Sequence, residues 1–403
     1  MTKPTAAPPG ETSPATATPG LLRRVLPTAA FFVGGLAVGV LAARGGLRVL
    51  PELGLSSPQV LIVFAVVPVL YLLCIAAHEL GHVLAGRLVD FRMLLFIAGP
   101  LRVDRTPDGL RPGLNRSILH AGGLAATVPV GLHDLRRRTI VMVAGGPLAS
   151  LMVGSQGLAL YQATAPTMLR DGAPFPVLLM GLAFLILGGL SLLIGLLTLI
   201  PARSGGFYSD GARILRLMRA SDETEREVAL LALTGLSMAG TRPRDWEPAL
   251  VARGAGIRDH GAFEVLGRQF AWAHALDSGD IPTARRHLQE ALARVEQLPA
   301  GARASLYLAG ATFFALYDGD AARGRDLLDR AGHGLLPAPH QRQLAEAAVL
   351  MAEGDAAGAR DAASRVSDLA GSAQDRGGAA LDIALADRIL LEETSPGGAP
   401  RLS

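Results

Sequence analysis

One cysteine, Cys74, stands among 403 residues. No intrachain disulfide can form from it, and a cysteine-based zinc site is excluded with it. A free thiol inside an apolar run is expected to be a small buried packing group. A strong charge of either sign is missing too: 38 basic side chains against 35 acidic ones leave a formal net charge of +3. The basic excess is mostly arginine beside hydrophobic runs, which is a topology pattern and not a nucleic-acid footprint. Histidine is scarce, 9 in 403, so any cluster of it carries weight. Residues 1–20 hold almost no large apolar side chain and are expected to be a disordered tail. They are not expected to form a signal peptide, because the hydrophobic segment begins only after Arg23 and Arg24 and no small-residue cleavage site ends it.

What the chain has in quantity is apolar sequence: half of it is hydrophobic, too much for a wholly soluble protein. The long uncharged runs fall before residue 201 and predict four membrane spans, at about 26–43, 58–89, 139–163 and 174–200. Residues 90–138 contain only short apolar stretches broken by Gly-Pro, Pro-Asp-Gly and Arg-Pro-Gly turn signals. They predict short strands or a re-entrant loop, since irregular backbone is tolerated at membrane depth where protein covers it.

The second span ends in His78-Glu79-Leu80-Gly81-His82. Residues four apart share one helical face, so His78 and His82 can offer imidazole nitrogens to one metal ion. Glu79 is then placed to take a proton from a water held there. Three ionisable groups in five residues of an apolar helix are expensive and mark function. At 1.5 Å per residue, His78 lies about 13 Å inward from Arg87, off-centre in the span. His120 and His133 fall in the 90–138 region without ligand-type neighbours at metal spacing and are expected to be loop histidines.

Arginine placement orients the spans. Lys3, Arg23 and Arg24 precede the first, eight arginines lie between the second and third (Arg92, Arg102, Arg105, Arg111, Arg116 and Arg136 to Arg138), and the segment after the fourth is basic. All three fall on one side if both termini are cytoplasmic. The exit of the second span then lies beside that of the fourth, which leads to Asp210. Ser209-Asp210-Gly211 before a periodic helix is equally a plain N-cap.

Beyond Ser221 the chain is soluble in character. Gly279-Asp280, Gly319-Asp320 and Gly354-Asp355 recur 40 and 35 residues apart, each after an apolar helical stretch. The period suggests stacked helical hairpins resembling tetratricopeptide repeats, with Gly-Asp at the turn inside each hairpin.

Over about residues 55–215 the chain resembles the site-2 protease family of intramembrane zinc metalloproteases. The carrying elements are HELGH, the AGGPLAS stretch of the third span, and the run from Thr198 through Pro201 to Asp210-Gly211. Thr198 stands where the family has asparagine, the proline-to-aspartate spacing is longer, and no segment resembles a PDZ domain. The resemblance implies one zinc per chain, held by His78, His82 and Asp210, with Glu79 as general base, and cleavage of transmembrane segments of other proteins.

The expectation is an all-α membrane protein: four transmembrane helices with a re-entrant or β-like segment, plus a soluble helical-repeat domain. Its parts are a tail at 1–20, a metalloprotease domain at 21–219, cytoplasmic repeats at 220–392 and a frayed end at 393–403. The expected setting is a bacterial cell membrane, with the lipid bilayer, a transmembrane substrate and a protein bound by the repeats as partners. A competing expectation is a catalytically silent scaffold acting through those repeats, against which the retained Glu79 argues. A metal transporter would need further polar residues along the other spans, which lack them.

Overall fold

The structure is a computed structural model that describes residues 55–106, 109–115, 123–204, 207–219, 221–332 and 339–391. The expected tail at 1–20, the span at 26–43, His120 and the end at 393–403 lie outside the described residues. The fold is mostly helical, but a four-stranded antiparallel sheet makes the all-α expectation too narrow.

Among the described residues, three helices are long and apolar enough to cross a membrane: α1 (Ser57–Leu88), α2 (Leu135–Met168) and α3 (Phe175–Leu199). The Gln59 side chain accepts from the Ser56 amide at the start of α1, and Pro58 occupies its first turn. Val63, Leu70, Cys74, His78, Gly81 and His82 form its buried stripe, while Leu61, Leu73, Leu80 and Leu84 on the other side are exposed. That stripe follows the 3.6-residue period, so the fold turns both histidines inward. Cys74 is fully buried and accepts a hydrogen bond from the Ser191 hydroxyl.

Helix α2 lies between α1 and α3 and touches both through small residues. A Cβ on Gly81 would stand 2.3 Å from the Gly145 carbonyl oxygen, and one on Gly157 would stand 2.8 Å from Gly188 Cα. Such backbone contact is what small residues permit between membrane helices. Helix α2 begins at Leu135, earlier than the arginine triplet suggested. Arg138 is buried inside it and donates to five carbonyls, those of Val89, Asp90, Val130, Gly131 and His133.

Those carbonyls belong to the joints of the sheet, which contains β1 (Phe91–Ala98), β2 (Leu101–Thr106), β3 (Gly109–Leu114) and β4 (Leu124–Pro129) in the order β3-β2-β1-β4. The strands fall in the 90–138 region and form a sheet, not a re-entrant loop. The β1–β2 turn at Gly99 (φ +56°) rests on Leu72, which lies about 24 Å along α1 from Leu88 at 1.5 Å per residue. The sheet therefore runs beside α1, past His78 and Glu79.

After α3, a two-stranded hairpin, β5 (Arg203–Ser204) with β6 (Phe207–Tyr208), leads to α4 (Asp210–Met218). The Ser209 hydroxyl caps α4 by accepting from the Ala212 amide, and donates to the Ile200 carbonyl at 2.7 Å. Gly211 lies directly on the Leu199 carbonyl. The start of α4 is thus fastened to the end of α3.

The helical part comprises α5 (Asp222–Ala239), α6 (Pro248–Ala255), α7 (Ala262–Asp277), α8 (Ile281–Leu292), α9 (Ala300–Asp318), α10 (Ala321–Ala331), α11 (Pro339–Glu353), α12 (Ala356–Ala370) and α13 (Arg376–Leu391). Each Gly-Asp pair sits at the turn of a hairpin. Gly279, Gly319 and Gly354 take φ of +82°, +65° and +88°, where glycine carries no Cβ penalty. Asp280, Asp320 and Asp355 then accept from the amides of Thr283, Arg323 and Gly358, capping α8, α10 and α12. This part meets the sheet where Gly235 of α5 packs on Pro129 and Gln374 donates to the Arg105 carbonyl.

Two predictions concern stability. Gly145→Val should force α1 and α2 apart at a cost of about 1–3 kcal/mol, read as a lower melting temperature of the purified full chain. Burial and the charges of Arg268 and Arg286 hold the His287 imidazole down to about 4. Below about pH 6.5 the unfolded chain takes up a proton that the folded one refuses until about pH 4, so stability falls with pH through that window. Both tryptophans, Trp246 and Trp272, lie in the helical part, so denaturant unfolding followed by their fluorescence should show this loss, and His287→Gln should flatten it.

Candidate metal centre

Two elements, α1 and α4, bring His78, His82 and Asp210 together. The histidines come from α1, four residues apart on its buried stripe, and Asp210 opens α4. His78 Nε2 lies 3.2 Å from Asp210 Oδ2, and His82 Nε2 lies 3.5 Å from Asp210 Oδ1. One ligand atom from each residue falls within 4.8 Å of the others, close enough for the group to hold a metal ion. The imidazoles meet edge to face, with centroids 4.9 Å apart.

The outer nitrogens have partners that sequence reasoning missed. His78 Nδ1 is 2.9 Å from the Ser150 hydroxyl. His82 Nδ1 is 3.1 Å from the Met142 carbonyl oxygen and 3.3 Å from the Gly146 amide. In a helix that amide is directed at the same Met142 carbonyl. We therefore assign the His82 proton to Nδ1, which donates to Met142 and leaves the Nε2 lone pair facing Asp210. A lone pair and a carboxylate oxygen set face to face repel unless a cation lies between them, so the donor set fits a metal. Such outer partners fix ring orientation in metal sites. Ser150 belongs to the AGGPLAS stretch and lies four residues after Gly146, which was the available signal. The Met142 carbonyl, being backbone, leaves no trace in a sequence.

Glycines set the clearances. A Cβ on Gly146 would stand 2.3 Å from His82 Nε2, and one on Gly123 would stand 2.7 Å from Glu79 Oε1. Glu79 is half-buried between the histidines and the start of β4, with the Ala125 amide close to its carboxyl. His133 is exposed beside Asp90 and takes no part. Cys74, one turn before His78, bonds to Ser191 and Leu187 and lies outside the group. Thr198 directs its hydroxyl to the Gly195 carbonyl of its own helix. Ser209 provides the N-cap of α4, so the capping and carboxylate roles that the sequence left open at Asp210 fall to neighbouring residues.

The described residues define a protein with three helices suited to a membrane and a His-His-Asp group able to hold a metal. No family model matches the chain, and no curated protein or solved structure matches it.

Elemental analysis of the purified chain checks the centre: about one metal ion per chain is expected, lost in His78→Ala and Asp210→Ala. Ser150→Ala should weaken binding about 10-fold or more by freeing the His78 ring.

Proposed function

We propose that the chain is a zinc-dependent intramembrane endopeptidase of the site-2 protease kind, cutting transmembrane segments of other membrane proteins. The observation that carries this is the convergence of His78, His82 and Asp210 beside Glu79, on a helix whose most apolar window has a mean hydropathy of 2.9. Two imidazoles and one carboxylate suit zinc, and three protein ligands leave a position open for chemistry.

Bound zinc would supply a Lewis acid for the scissile carbonyl and a water acidic enough to react near neutral pH. Glu79 takes a proton from the attacking water and delivers it to the leaving amide nitrogen. Its tether on α1, one residue from His78, keeps the carboxyl beside the group, and Gly123 leaves it room beside β4. The Met142 carbonyl and the Ser150 hydroxyl hold the two imidazoles so that neither ring reorients during turnover. Apolar flanks exclude bulk water, which strengthens each of these interactions.

The depth of the site fits a cut off-centre in the bilayer, at the end where α1 and α3 meet the sheet and the helical part. With the arginine distribution, this favours a multi-pass membrane protein with both termini cytoplasmic and the repeats open to a protein partner.

Glu79→Gln is expected to abolish cleavage of a transmembrane substrate while bound zinc stays at the wild-type level. The measurement pairs metal analysis with quantitative proteomics of membrane fractions, seeking a membrane protein that accumulates uncut. Undiminished proteolysis by that variant would sink the proposal.

A further inference from the structure

Glu227 on α5 has no part in the chemistry above, yet it is only 6% exposed. Two arginines of α4 meet it: Arg213 Nε donates to Oε1 at 3.1 Å, and Arg216 Nε lies 3.8 Å from Oε2. Both belong to the helix whose first residue is Asp210. Arg216 is also held in other ways, since its guanidinium stacks on the Tyr208 ring at 4.5 Å and its carbonyl accepts from the Thr224 hydroxyl. The ion pair found for Arg213 among the described residues is the one with Glu227.

Arg213 follows Asp210 by three residues, the spacing at which a guanidinium and a carboxylate on one helix reach each other. A guanidinium turned onto Asp210 would engage both carboxylate oxygens in a forked pair, the same oxygens that His78 and His82 now face. It would also set a fixed positive charge against an incoming cation.

We propose that Glu227 is a positioning residue for metal binding, holding the Arg213 guanidinium off Asp210 so that metal occupancy depends on the docking of α5 against α4. This rests on the metal-binding role of His78, His82 and Asp210. Because α5 is the first helix of the helical part, a partner that shifts α5 changes the metal affinity of the membrane site. The rest of the joint transmits such a shift: Leu217 is 1% exposed, and Ile214 and Leu231 pack with Phe91, Met142 and Val143.

The test is a Co2+ titration of the full chain in detergent micelles, followed by visible absorption, with circular dichroism to check folding. Glu227→Gln keeps the shape and removes the charge. It should weaken Co2+ binding about 10-fold or more, the usual effect of losing an outer partner. Arg213→Gln alone should bind as well as wild type or better, and Glu227→Gln with Arg213→Gln should regain most of the loss. If Arg213→Gln weakens binding as much as Glu227→Gln, or the double variant shows no rescue, the pair is merely a structural tie and the proposal is overturned. Equal binding by Glu227→Gln and wild type overturns it as well. A wild-type chain that takes up no Co2+ overturns the metal-binding role itself. Arg213 is a third exposed, so its single variant decides the matter even where Glu227→Gln fails to fold.

Discussion

The contact of Gly81 with Gly145 is the constraint on which the rest of the membrane part depends. With no side chain on either, the α1 and α2 backbones approach until a single added Cβ would strike a carbonyl. That closeness puts Met142, Gly146 and Ser150 at hydrogen-bond or contact distance from two histidines that project from the same side of α1. A wider spacing would leave two imidazoles inside an apolar bundle with unmet nitrogens, each costing about 1–3 kcal/mol. The small residues of α2 thus set helix spacing and orient the imidazole rings together.

A second layer of order comes from charge meeting backbone. Arg138 is buried and, among the described residues, pairs with no carboxylate; five carbonyl dipoles share its charge. They come from the end of α1, the residue before β1 and the segment after β4, so one guanidinium fixes where β1 starts and β4 stops relative to the helix bearing Glu79. The helical part leans on this assembly through Gly235 against Pro129 and through the Glu227 pairs. Its own hairpins repeat one device, a left-handed glycine followed by a capping aspartate.

Much of this was legible in the sequence, and unevenly. Helix α1 was readable because a long apolar run ends at Arg87, and its histidines because four residues make a turn. Asp210 was reachable only by joining a motif to a topology argument, since a carboxylate after a serine before a helix also describes a cap. The strands announced themselves by their turns, but the order β3-β2-β1-β4 did not, because β4 pairs with β1 across two intervening strands. The start of α2 was misjudged because arginine normally marks the edge of an apolar helix, and nothing local reveals that five remote carbonyls will receive Arg138. Glu227 was invisible for the same reason: one glutamate among several on an amphipathic helix gains meaning only from what packs on it.

The modest hydropathy of α2 bears on how the protein is made. Its most apolar window averages 1.3, against 2.9 for α1 and 2.7 for α3, and 44% of that window is buried against 22% and 17%. Helices α1 and α3 are greasy enough to partition into lipid on their own, whereas α2, which carries Ser150, Ser155, Gln156 and Gln162 and is headed by three arginines, gains its place largely by being enclosed. During biosynthesis it has nothing to lie against on its second side until α3 has emerged, and α4 with Asp210 emerges later still. The nascent chain therefore carries its paired histidines without their third ligand while residues 83–209 are made, and the complete ligand set arises only once α4 has followed α3.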